Sequence, residues 1–167
     1  MARVAKWLAL MASVLVMSAC GLEQYVRHTD VSGYPYRYTD FDFKYAWKTT
    51  PTTDGVVIDG VMKNIRYPTI DDLELTVFVL GKQENVITRA ITFPVPQQGR
   101  DYEETVNYFS LPLRGVTPVS GNVYEFLAHY KGGYGGNKGG VEWRSTFKVD
   151  AMTGAVMHRQ PKNPDIW

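Results

Sequence analysis

Cysteine is nearly absent: the chain of 167 residues has a single one, Cys20. No disulfide can close within one chain, so the fold has to hold by packing alone. An excess of charge of one sign is missing as well. Eighteen Lys and Arg against 17 Asp and Glu give a formal charge of +1, without the basic surplus that nucleic-acid binding calls for, and no nucleic-acid partner is expected. Histidine is scarce, at three, and there is no H-x-x-x-H, H-E-x-x-H or C-x-x-C spacing, so neither a metal nor a cofactor is expected. Asp40 with Asp42, and Asp71 with Asp72, offer oxygens, but the full acidic spacing of a calcium loop is missing. These four read as solvated strand ends and turns. A nucleophilic triad lacks its parts too: no serine stands in a G-x-S-x-G setting, and His28 and His158 fall outside the patterned region. His129 alternates with Leu127 and reads as a surface or hydrogen-bonded strand residue. No catalytic role is expected of any of them.

The first twenty residues are of another kind. Arg3 and Lys6 precede the uncharged apolar stretch Trp7 to Ala19, which ends in small residues. Those are the parts of a secretory signal helix. Thirteen residues at 1.5 Å each span about 20 Å, short of the roughly 30 Å hydrocarbon core that a membrane helix must cross. The stretch Met17-Ser18-Ala19-Cys20 resembles the lipobox of bacterial lipoproteins, with Met17 where Leu is usual. That resemblance implies cleavage before Cys20, lipid on its thiol, and anchoring in a membrane of the bacterial envelope. Two or three acyl chains, each contributing about 0.8 kcal/mol per buried CH₂, hold such a protein firmly. Gly21 stands where an inner-membrane retention signal would place Asp, which implies the outer membrane, facing the periplasm. Cleavage would remove two cations and turn the formal charge from +1 to −1.

Residues 20–36 show no apolar period and contain Gly33 and Pro35, the composition of a tether. From there to residue 150 a period of two dominates, as in half-buried strands. Phe41, Phe43, Tyr45 and Trp47 alternate with Asp42, Lys44 and Ala46, and further strands are expected over 56–65, 73–80, 86–94, 103–111, 123–130 and 141–149. Gly, Pro, Asn and Asp cluster between them. Seven short strands with such turns predict an all-β domain over 37–150, an antiparallel β-sandwich of fibronectin or immunoglobulin type, with a small β-barrel as the alternative. Residues 151–167 read as a C-terminal tail. About two-thirds of the unfolded surface is buried in a domain of this size, enough for a core without disulfides.

The segment from Gly55 to Ile87 resembles the FxLYD-type β-sandwich domains of bacterial envelope proteins. Gly60, Asn64, Phe78 and Leu80 match, while Gly81 and Lys82 stand where the motif has Tyr and Asp. The resemblance implies a fibronectin-like sandwich and no particular chemistry.

The glycine-rich stretch Lys131 to Gly140 fails as a phosphate loop, because Lys138 precedes Gly139 and no Ser or Thr follows it. It fails as a dinucleotide fingerprint as well, since Lys138 occupies the place of the third glycine. Six glycines there predict a mobile hairpin tip. One tyrosine among cations suits an adaptable contact surface, so Lys131, Tyr134 and Lys138 are the candidate partner-binding residues. Aromatics form 13% of the chain, with Tyr34, Tyr36 and Tyr38 crowded before the first long strand. They serve either as core or as an exposed stacking surface. The expectation is thus a non-catalytic domain, held to the membrane by lipid on Cys20, that binds or supports another envelope protein. The alternative is a module that binds a glycan or small ligand through exposed aromatics.

Overall fold

The computed structural model describes residues 30–67, 69–97, 106–133 and 140–158. The expected signal helix over 1–19, Cys20, Tyr134 and Lys138 lie outside the described residues. From Val31 onward the chain belongs to one compact unit.

Ten strands are described: β1 (Tyr36–Thr39), β2 (Phe43–Thr52), β3 (Gly55–Asn64), β4 (Thr69–Leu80), β5 (Val86–Thr92), β6 (Val95–Gln97), β7 (Val106–Arg114), β8 (Val123–Gly133), β9 (Val141–Asp150) and β10 (Val156–His158). They form two open sheets, β1-β2-β3-β7-β6 and β10-β9-β8-β4-β5, in which neighbours run antiparallel. This is the expected sandwich, and not a closed barrel. The seven long strands are those the alternation predicts, and β1, β6 and β10 are short additions at the sheet ends. Among the long strands, the fourth, β5, pairs with the third rather than lying beside the fifth as it would in an immunoglobulin constant domain.

The facing surfaces follow from the period of two. Phe43, Tyr45 and Trp47 of β2 point inward beside Val56, Ile58 and Met62 of β3 and Phe109, Leu111 and Leu113 of β7. Opposite them stand Leu75, Val77 and Val79 of β4, Tyr124, Phe126, Ala128 and Tyr130 of β8, and Phe147 and Val149 of β9. The aromatics are therefore mostly core. Phe126 and Phe147 stack at 4.7 Å, Phe43 meets Tyr130 edge-on at 4.8 Å, and Tyr38 of β1 stacks on Phe147 at 4.1 Å. Each such pair contributes about 0.5 to 1.5 kcal/mol beyond its buried area. Gly60 faces Phe109 in register, and a Cβ there would sit 2.4 Å from the Phe109 ring and 2.6 Å from the Ala46 carbonyl oxygen. Only glycine lets that ring lie across the strand. Burial, and secondarily the neighbouring Tyr36, pushes the Tyr124 hydroxyl up to about 12.

Two stretches read as tether and tail contribute to the folded unit. Val31 and Tyr34 pack over Ala46, Val61 and Val106 on the outer face of the first sheet, and Arg37 donates to the Val31 carbonyl at 3.2 Å. After β9, Asp150 accepts backbone hydrogen bonds from Met152 (3.0 Å) and Thr153 (2.8 Å) and turns the chain back into β10. Those bonds, the Thr153 amide first, hold the Asp150 carboxyl below the usual carboxylate range.

Candidate functional site

Two surfaces stand out against this frame, one polar and closed, the other apolar and open. The polar one lies at the sandwich end where the chain enters β2. Asp40 Oδ1 accepts the backbone amides of Asp42 (2.8 Å) and Phe43 (2.6 Å), a local turn that precedes the strand. The turn brings Asp42 inward, leaving it 7% exposed, where Arg66 donates to Oδ1 at 3.2 Å and the Tyr130 hydroxyl to Oδ2. The reading of Asp40 and Asp42 as solvated strand ends is thereby corrected for Asp42, and Asp40 Oδ2 in turn accepts from the Ser145 hydroxyl. Alternation places Asp42 outward with Lys44, but that rule holds only inside a strand, and β2 begins at Phe43. Phe41 departs from the pattern for the same reason and is exposed.

Arg66 is held from its own loop. Asn64 Oδ1 accepts the amides of Arg66 and Tyr67, both at 3.0 Å, and Asn64 Nδ2 donates to the Tyr67 carbonyl. The guanidinium then lies over the Phe41 ring at 4.0 Å, with Tyr67 at 5.0 Å and Trp143 at 5.6 Å, so cation–π attraction adds to the ion pair. Burial, then the bond to Asp42, pushes the Tyr130 hydroxyl far above its ordinary value, and burial followed by the charge of Asp40 does the same to Tyr45. Each carboxylate oxygen of Asp40 and Asp42 thus has a donor. The cluster ties the entry to β2, the β3–β4 loop, β8 and β9 into one knot. Among the described residues no group of three or more His, Cys, Asp or Glu is placed to hold a metal ion.

Of the residues the sequence singled out for a partner, Lys131 is the one described. It stands on β8 in register with Asp71 of β4 and Glu142 of β9, and its stem lies close against Gly140. His129 is partly exposed on the outer face, 4.0 Å from Glu142.

The apolar surface was not foreseen. Val86, Ile87, Ile91 and Phe93 are all exposed, at 57, 49, 47 and 67%. They lie on β5, the terminal strand of its sheet, and on the residue after it. Thr88, Ala90 and Thr92 face inward in register with Val79, Val77 and Leu75, so Arg89 and Ile91 face outward beside Phe78 and Thr76. The sequence marks the strand. Which strand would end the sheet depends on long-range pairing, of which the sequence carries no local sign.

No protein-family model and no curated protein matches the chain.

Proposed function

We propose that this chain is a lipid-anchored, non-catalytic β-sandwich of the bacterial envelope, held to the membrane through Cys20, that binds or supports another envelope protein. The observation that carries the reading is the exposed apolar run on the terminal strand β5. Sheet edges are usually blunted by lysine, proline or a covering loop, because an open row of amides and carbonyls recruits other strands. Here the strand holds one charge, Arg89, among Val86, Ile87 and Ile91, and exposed apolar side chains gathered along one terminal strand are a candidate interaction surface. The knot around Asp42 supports the same view from the other side, since the carboxylates of Asp40 and Asp42 are matched by donors within the fold. The aromatics that a glycan-binding face needs are mostly spent in the core. The anchor rests on the signal architecture and on Met17-Ser18-Ala19-Cys20. Acyl labelling of the full chain in its host and of Cys20→Ala tests the reading: label should appear on the first and vanish from the second. Equal labelling of both overturns the anchor.

A further inference from the structure

We propose that the free edge of β5 accepts an extended segment of the partner protein as an additional strand, and that this segment carries an acidic side chain between apolar ones, set against Arg89 between Ile87 and Ile91. The inference rests on the protein-binding reading above and names the chemistry of the partner.

The backbone argument comes first. Among the described residues β5 pairs with β4 on one side only and is last in its sheet, so the other side of the strand is where an incoming chain can add its hydrogen-bonding groups. The strand ends where Pro94, which has no N–H, follows Phe93. A register shift between Val79 and Leu80 leaves Ile87 as an extra residue on β5. Such a bulge interrupts pairing near the β4–β5 turn and leaves residues 88–92 as the regular part of the edge.

The side-chain argument selects the occupant. An added strand places its outward residues about 5 Å from Arg89 and Ile91, on the same face. Arg89 is exposed and has no hydrogen bond or ion pair among the described residues. A carboxylate opposite it gains a charge-assisted, bidentate partner, and apolar neighbours on the segment cover Ile87, Ile91 and Phe93. A second copy of this chain is the poorer fit. Antiparallel self-pairing that keeps faces matched and is centred on residues 88–90 sets the two Arg89 side chains opposite or diagonal to each other, and like charges so placed are destabilising.

Peptides about nine residues long, the usual length of a strand, provide the probe. One alternates valine and threonine with an aspartate at its central outward position; a second has lysine there; a third is the aspartate peptide with alternate backbone amides methylated. Binding to the full chain is read by fluorescence anisotropy. The aspartate peptide should bind at least tenfold tighter than the lysine peptide, Arg89→Glu should invert that order, and amide methylation should abolish binding. Equal binding of the aspartate and lysine peptides, binding that survives methylation, or no binding overturns the proposal. So does a concentration-dependent dimer in sedimentation that Ile91→Lys dissolves, since the edge is then occupied by a second copy. Acyl labelling of Cys20 and crosslinking from the Lys131 position are independent of the peptides. An anchored chain that crosslinks an envelope protein from Lys131 while ignoring every peptide keeps the general reading and loses this one.

Discussion

The end of the sandwich around Asp42 and the edge along β5 are opposite solutions to the same problem. At the first, charged groups are drawn inward and matched: two carboxylates, a guanidinium, a tyrosine and a serine bond to one another. At the second, exposed apolar side chains stand on a strand with one neighbour among the described residues. The proposed function therefore assigns stability to the first and contact to the second, and each assignment can be broken separately.

Alkali should produce the largest effect, and it acts on the closed end and the core. Burial raises Tyr45, Tyr124 and Tyr130 above their ordinary values, so the folded chain keeps these protons when the unfolded chain has lost them. Their stabilising contribution is intact below the unfolded value near 10 and falls away above it, by roughly 1 kcal/mol per pH unit for each tyrosine. Urea midpoints should accordingly be flat from pH 7 to 9 and drop steeply beyond 10. Phenolate absorbance of these three should appear together with unfolding. A gradual titration in the folded chain contradicts the burial argument.

Asp42→Ala comes next. It strips Arg66 and Tyr130 of their acceptor, and breaking a buried pair costs about 3 kcal/mol where the partner stays behind; Arg66 keeps some solvent contact, so about 2 kcal/mol is expected from denaturant melts. Peptide binding at β5 should be unchanged in the folded fraction. If Asp42→Ala leaves stability intact, the knot is not what holds that end.

The edge should behave in the converse way. Ile91→Thr and Phe93→Ser replace exposed side chains with polar ones, so stability should move by no more than about 0.5 kcal/mol while strand-peptide affinity falls about tenfold. The smallest effect belongs to the exposed pair of Lys148 and Glu84, 2.9 Å apart. Glu84→Gln should cost at most about 0.5 kcal/mol and nothing measurable at high salt.

The core was legible in the sequence because its signal is local. Phe43, Tyr45 and Trp47 sit two apart, and so do Leu75, Val77 and Val79, and a pleated strand turns that spacing directly into one buried face. The short strands β1 and β10 were not legible, since strands of four and three residues carry too little alternation to register. The charged knot escaped for a different reason. Arg66 and Tyr130 lie 24 and 88 positions from Asp42, and nothing local marks them as its partners. The candidate partner site split differently: Lys131 lies in a paired strand among acidic neighbours, while Tyr134 and Lys138 lie outside the described residues. The apolar side chains of β5 were visible as a strand, but a pattern of residues does not say which strand will be last in its sheet.

Photocrosslinking in intact cells tests the division most directly. A crosslinking side chain is placed at position 91 on the open edge or at position 41 on the closed end, in the otherwise unchanged full chain. The account predicts a discrete envelope-protein adduct from position 91 that disappears in combination with Arg89→Glu, and no adduct from position 41. An adduct from position 41 alone, or one from position 91 that is indifferent to Arg89, contradicts it.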